Sequence, residues 1–244
     1  MDGAALVNLS NLMAKFRSID VIANNIANAS TPGFKREVVK FEEFLKQMPP
    51  SEGEGKPELL SLVADVGVVR DLSQGSINIT GAPYDLAING KGFFVVQTPA
   101  GERYTRNGHF TLDNEGRLVT SGNAFVGTEG GPLTITPNDG PVSIASDGTV
   151  SSKIGTIGKI RIVDFANPER LRKEGASLYS SDQAAVPGAG HIRQGAIESS
   201  NVEPVTEIAQ MIEVMRAYES ASNLMKSLQG EPGEMERLAA VPNK

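Results

Sequence analysis

The 244-residue sequence predicts an α+β fold: long N- and C-terminal helices pairing as a coiled coil around a central, mostly antiparallel β domain. Three observations carry this. An apolar seam at four-three spacing runs through the first 26 residues, and a second seam of similar length runs through residues 208–225. Between them, short apolar runs alternate with tight turns. With 26 glycines and 14 prolines the chain is rich in turn residues, while 5% aromatics and no tryptophan leave few large anchors for one compact core.

The N-terminal seam is Ala5, Leu9, Leu12, Phe16, Ile19, Ala23 and Ile26, with Met13 and Ile22 widening it. A helix over residues 3–28 is about 40 Å long at 1.5 Å per residue and cannot bury its own stripe. Asn24, Asn25 and Asn28 are poor helix interior, because their amides compete for backbone hydrogen bonds. Ser30-Thr31-Pro32-Gly33 then ends the helix: Pro32 turns Thr31 away from the α region and Gly33 supplies a turn. The C-terminal seam is Ile208, Met211, Met215, Tyr218, Ser222 and Met225, flanked by Ile212 and Leu228. Ser200-Asn201-Val202-Glu203 reads as a capping box with Pro204 in the first turn, and Gly230, Pro232 and Gly233 close the helix.

The rest of the chain divides by its punctuation. Phe41, Phe44, Leu45 and Met48 have helical spacing, and residues 49–58 read as a loop. Phe93–Val96 is a buried strand, and Asp113-Asn114-Glu115-Gly116 is a hairpin turn between Phe110–Leu112 and Leu118–Thr120. Ser143–Val150 repeats that strand-turn-strand pattern, and Lys159–Phe165 alternates as one strand. Residues 180–195 carry no period. The expected organisation is an N-terminal helix (1–33), a connecting segment (34–75), a β-rich domain (76–182), an extended linker (183–199), a C-terminal helix (200–230) and a tail (231–244).

The chemistry of an enzyme is missing. Zero cysteines exclude disulfides, thiolate metal sites and cysteine nucleophiles. His109 and His191 are the only histidines and belong to no metal or catalytic motif. Gly90-Lys91-Gly92-Phe93-Phe94-Val95 starts like a dinucleotide fingerprint, but Val95 stands at the third glycine and a strand follows. No catalytic, cofactor or metal residue is expected. A net charge of −6 argues against nucleic acid as a partner. The first thirty residues carry Asp2, Lys15, Arg17 and Asp20, which leaves no signal-peptide core, and no run approaches a membrane span. The seams, and the adaptable face of Met211, Met215 and Met225, point instead to self-assembly.

Three segments resemble the bacterial flagellar rod and hook axial proteins, most of all the proximal-rod type of the basal body. They are Asn24–Asn28 with Thr31–Lys35, Asp85–Val96 with Tyr104–Phe110, and Gly195–Val202 running into Met211-Ile212 and Arg216–Glu219. The resemblance implies terminal helices that form the inner tube of the rod and a β-rich middle that forms its outer layer. It further implies a shaft passing torque from motor to hook, rod subunits as partners, and export through the flagellar type III apparatus without a cleaved signal peptide. The expected assembly residues are Leu9, Leu12, Phe16, Ile19, Ala23, Ile26, Ile208, Met211, Ile212, Met215, Tyr218 and Met225, with Asn24, Asn25 and Asn28 fixing register between helices. A distal-rod or hook-type protein is the alternative, and a β-domain protein with a dimerising helical stalk is a more remote one.

Overall fold

The computed structural model describes residues 3–48, 58–175 and 177–230. The chain forms two compact units. One takes Met1–Ala27, Glu37–Val69 and Glu203–Lys244, and the other takes Asn28–Arg36 and Arg70–Val202.

In the first unit, α1 (Gly3–Ala27) and α2 (Pro204–Gly230) accompany a two-stranded ribbon of β1 (Glu37–Met48) and β2 (Glu58–Arg70). No proline or glycine interrupts α1 after Gly3, and α2 starts on Pro204, whose missing N–H costs nothing at a helix start. Ser200 makes no cap; its hydroxyl accepts the Val202 N–H at 3.1 Å, in a turn ahead of the helix. The expected helical turn at 41–48 is part of β1. Residues 42–47 are all exposed, so no buried face imposes a period, and the helix-like spacing of the apolar residues there carries no information. The expected loop at 49–58 lies, except for Glu58, outside the described residues, as does the tail.

The second unit holds seventeen strands among the described residues. They are β3 (Ile77–Ile79), β4 (Leu86–Asn89), β5 (Phe93–Thr98), β6 (Gly101–Thr105), β7 (Phe110–Leu112), β8 (Leu118–Thr120), β9 (Phe125–Thr128) and β10 (Gly131–Pro132). There follow β11 (Ser143–Ile144), β12 (Thr149–Ser151), β13 (Thr156–Lys159), β14 (Ile162–Asp164), β15 (Arg172–Glu174), β16 (Leu178–Ser180), β17 (Val186–Pro187), β18 (His191–Gln194) and β19 (Ala196–Glu198). The main sheet runs β15-β16-β6-β5-β9-β8-β7 and every pairing is antiparallel. At its centre, β5 sorts its side chains by the strand period. Phe94 enters a core with Leu86, Ile88, Phe110, Leu118 and Val126, while Phe93 and Val95 enter another with Tyr104, Phe165 and Tyr179. Edge-on aromatic contacts finish each face, Phe94 to Phe110 at 5.2 Å and Phe93 to Tyr179 at 5.8 Å. The single strand expected at 159–165 is divided between β13 and β14. Residues 183–199 contribute β17, β18 and β19, with β18 pairing β4 and β19 pairing β3.

This overturns the expected fold class. Antiparallel sheet dominates, the described residues contain only two α-helices, and no long coiled-coil pair is present among them. The reason lies in which positions of α1 are covered. Asn8, Val21, Ile22 and Asn25 are buried, whereas the seam residues Leu9 and Phe16 are exposed. Part of the cover comes from the ribbon, which packs along α1.

Inside the second unit, the turn after α1 is fastened to the segment preceding α2. Lys35 and Glu198 are fully buried side chains with Nζ and Oε1 2.5 Å apart. Lys35 also donates to the Ser73 carbonyl at 2.6 Å, and Glu198 Oε1 also accepts the Gly75 N–H at 3.0 Å. Arg106 Nε lies 3.7 Å from Glu198 Oε2, and its Nη2 donates to the Gly90 carbonyl at 2.7 Å. Burial pulls the Lys35 ammonium below its ordinary range, and the Glu198 charge opposes that shift. The backbone joins in: Gly33 N–H donates to Glu198 O at 2.8 Å, and Arg36 N–H donates to Asn201 Oδ1 at 2.7 Å. Asn201 Nδ2 donates to Asp71 O at 2.9 Å. Gly33 has φ +67°, and a Cβ there would sit 2.4 Å from the Arg106 carbonyl carbon.

The junction can be probed by substitution and by pH. Gly33→Ala should cost about 2–4 kcal/mol, combining left-handed strain with collision against backbone. Gly81→Ala, at φ +76° but in open space, should cost only about 1 kcal/mol. Denaturant unfolding of the full chain measures both, and equal losses would refute the close approach at Gly33. Hydrogen bonds from the Ser73 N–H and hydroxyl hold the Asp71 carboxyl below its ordinary range. Its stabilisation is therefore complete above the unfolded carboxylate value near pH 4 and lost as pH falls through the lower native value. The stability gap between the wild type and Asp71→Asn should accordingly close on acidification.

Candidate assembly surface

α1 presents Leu9, Met13 and Phe16 on one face, at spacing i, i+4, i+7, with Met13 66% and Phe16 57% exposed. Together with Leu12, with Val63 of β2 and with Tyr218 of α2, they line an open apolar groove of about 540 Å³. An Arg17–Asp65 ion pair at 3.3 Å stands at its edge. α2 presents a second stripe of Val205, Ile208, Ile212 and Met215 at spacing i, i+3, i+7, i+10, with Val205 78% exposed. Single exposed apolar side chains are ordinary, but three or four in a row along one helix face, as on α1 and again on α2, form a stripe.

The expected assembly residues fall into two sets. Leu9, Phe16, Ala23, Asn24, Ile208, Ile212 and Met215 are exposed, whereas Leu12, Ile19, Ile26, Asn28, Met211, Tyr218 and Met225 are half-buried. Asn25 is fully buried and works within the unit. Its Oδ1 accepts the Glu37 N–H at 2.9 Å, and its Nδ2 donates to Glu37 O at 2.8 Å and to Glu207 Oε2 at 3.0 Å. One amide thus caps the edge of β1 as a strand would and ties α1 to the first turn of α2.

Sequence reasoning missed three positions. Asn8 is buried and donates Nδ2 to the Ala221 carbonyl at 2.9 Å, joining the two helices near their far ends. Glu207 is buried as the partner of Asn25, and Ser10 Oγ accepts the Val63 N–H at 3.3 Å, holding β2 on α1. The signal for Asn8 was available: it is a polar residue between Ala5 and Leu9 on an otherwise apolar stretch. The partners of Glu207 and Ser10 are distant in the chain and leave no local mark.

The histidines sit elsewhere. His109 Nδ1 contacts Asp85 Oδ1 at 2.7 Å beside the bridge between these two residues, and His191 opens β18. No grouping of three or more histidine, aspartate or glutamate side chains able to hold a metal occurs among the described residues. No helix among them is long and apolar enough to cross a membrane.

Comparison with known proteins gives three family-model matches. Residues 6–35 match the flagella basal body rod protein model, residues 87–152 match the flagellar hook protein FlgE/F/G D1 domain, and residues 193–230 match the flagellar basal body rod FlgEFG protein C-terminal model. The chain is 43% identical over 229 residues to the flagellar basal-body rod protein FlgF of Caulobacter vibrioides, covering 92% of this chain and 93% of that protein. It is 33% identical to FlgF of Mesorhizobium japonicum over 93% of each chain. It is 35% identical to FlgG of Bacillus subtilis, covering 85% of this chain and 88% of that one.

The Asn25 clamp yields a prediction. Asn25→Ala should lose about 2–3 kcal/mol, because it removes the partner of the Glu37 N–H and C=O and one donor to the Glu207 carboxylate. Asn25→Asp keeps the size but sets a second carboxylate against Glu207, so at pH 7 it should be the worse variant. Helical circular dichroism during denaturation reads the effect, and an Asn25→Asp chain as stable as wild type at pH 7 would contradict the clamp.

Proposed function

The chain belongs to the flagellar basal-body rod protein family, and from that premise we propose that it builds the rod through the two exposed helix stripes. It is a structural subunit of the basal body. One observation carries the reading of the stripes. Two of the matched family segments, residues 6–35 and 193–230, cover almost all of both helices, and both exposed apolar rows lie within them. An apolar row in water is a cost to the free subunit that a neighbour removes, at roughly 25 cal/mol for each Å² covered.

Subunits stack by heterologous contacts, the open-ended case of subunit symmetry, with other rod subunits above and below. The shaft so formed passes torque from the motor to the hook, and its work is mechanical rather than catalytic. The subunit reaches its place in the periplasm-spanning rod through the flagellar type III export apparatus, without a cleaved signal peptide. The short spacing between Phe44 and Val63 supports the proximal-rod type, and the higher identity to the Caulobacter FlgF than to the Bacillus FlgG supports a subunit of the FlgF kind.

Phe16→Asp tests this. Phe16 is already exposed, so the variant should fold within about 0.5 kcal/mol of wild type. It should nevertheless fail to enter basal bodies and fail to support motility. Ile154→Asp, also at an exposed position but in the turn between β12 and β13, should enter normally. Immunoblots of purified basal bodies separate the two, and normal incorporation of the Phe16→Asp chain would end the claim that this stripe is an assembly face.

A further inference from the structure

The ribbon of the first unit has a property that the helix stripes do not explain. Among the described residues the ribbon has two strands, so each has one edge outside the ladder, and such edges are templates for pairing with another chain. α1 attends to both strands, but only in part. Ser10 occupies the outer edge of β2 at Val63, and Asn25 occupies the outer edge of β1 at Glu37. Beyond Phe41, every residue of β1 from Glu42 to Gln47 is exposed, including Phe44 at 57% and Leu45 at 59%.

The direction of that free edge is fixed by Glu37. Its N–H and C=O both turn to Asn25, away from β2, so Val39, Phe41, Glu43 and Leu45 turn their backbone groups the same way. Glu42, Phe44 and Lys46 share one face and read acid, aromatic, base. Turned through a two-fold axis at Phe44, this row is its own complement. Phe44 faces Phe44 of a second copy, and Glu42 faces Lys46 on both sides of it.

We propose that the free subunit pairs β1 edge to edge with β1 of a second copy of this chain, antiparallel and centred on Phe44, giving a four-stranded sheet across the two ribbons. Glu43 of one copy and Leu45 of the other form the central hydrogen-bonded pairs, four backbone bonds, and Phe41 opposite Gln47 continues the ladder on both sides. Phe44 lies in a non-hydrogen-bonded pair, where side chains approach closest. The alternatives by register are poorer, and the one centred on Leu45 leaves Glu42 opposite Met48 and Lys46 opposite Phe44, with no cross-strand charge pair. Centring on Glu42 or Glu43 opposes like charges, and centring on Phe41 requires the edge of Glu37, which Asn25 already fills. The exposed Lys40–Glu42 contact at 3.3 Å is the kind that exchanges at little cost.

A two-fold contact closes on itself, whereas stacked rod subunits all point one way. The pairing therefore belongs to the subunit outside the rod and opens when the subunit is incorporated. It stands on the ribbon alone and does not depend on the helix stripes.

Sedimentation velocity on the full chain over a concentration series tests it. Wild type should show a reversible monomer–dimer equilibrium. Glu42→Lys or Lys46→Glu alone should each raise the dissociation constant at least about tenfold, because two attractive cross-strand pairs become repulsive. The double variant Glu42→Lys/Lys46→Glu restores the complement and should return to within about threefold of wild type. Because the chain has no cysteine, Phe44→Cys gives a second readout. Cα atoms about 4.5 Å apart in a non-hydrogen-bonded pair lie within disulfide range. Mild oxidation should link that variant into dimers and leave Leu45→Cys largely unlinked. A chain that is monomeric at its highest soluble concentration overturns the proposal. So does a dimer indifferent to the charge swap, or one abolished by Phe16→Asp, which would assign association to the helices instead.

Discussion

Lys35 and Glu198 are 163 residues apart in the chain and meet as a fully buried ion pair. Desolvating two charges costs several kcal/mol each, so such a contact is retained only where further hydrogen bonds satisfy it. Here they do so in part: the Ser73 carbonyl and the Gly75 N–H serve Lys35 Nζ and Glu198 Oε1, whereas Glu198 Oε2 and Arg106 Nη1 have no hydrogen-bond partner among the described residues and Oε2 has only the Arg106 charge, 3.7 Å away. The consequence is positional. The segments 28–36 and 196–202, through which the chain leaves for α1 and α2, are held to each other within one unit. Gly33 N–H to Glu198 O extends the charged contact into backbone, and Arg36 to Asn201 continues it. Removing one member of the buried trio would leave the others uncompensated, typically a loss of about 3–5 kcal/mol for a buried pair.

The first unit solves a different problem. Its polar ties, Asn8 to Ala221 and Asn25 to Glu207 and Glu37, face inward, while Leu9, Met13, Phe16, Val205, Ile208 and Ile212 face outward. A globular domain that worked alone would invert this arrangement. It suits the proposed assembly, in which buried amides fix how the elements meet and the apolar rows are left for neighbours. The chemistry of the second unit fits the same purpose: its charged side chains serve turns and junctions, as Asp113 does for the Arg117 N–H at 2.8 Å.

Some of this is legible in the sequence because it is local. Phe93–Val96 is a continuous apolar run buried on both faces, and Asp113–Gly116 is a turn by its own chemistry. The helix limits are legible only in part: Pro204 does sit in the first turn of α2, but Ser200 makes no cap and α1 stops at Ala27, ahead of the Pro32-Gly33 pair. The coiled coil is where the reading failed. Four-three spacing marks one face of any amphipathic helix, and it does not say whether that face is covered by a helix, by a ribbon or by nothing. β1 was unreadable as a strand because its outer half has no buried side. Residues 180–195 carry no period and 183–199 read as a linker, yet Ile192 and Ala196 find partners in β4 and β3 more than a hundred residues earlier. The Lys35–Glu198 pair belongs to the same class. Long-range partners are properties of the folded chain and leave no local mark.

Native-state hydrogen exchange on the full chain tests most directly whether the buried charge junction organises the molecule. The amides to follow are Gly33, which donates to Glu198 O, Gly75, which donates to Glu198 Oε1, and Ser199, which donates to Ser76 O. If the junction is part of the cooperative core of its unit, these three exchange only through global opening, with the same free energy as the amides of β5. Exchange of the three by local fraying, while β5 remains protected, would contradict the account.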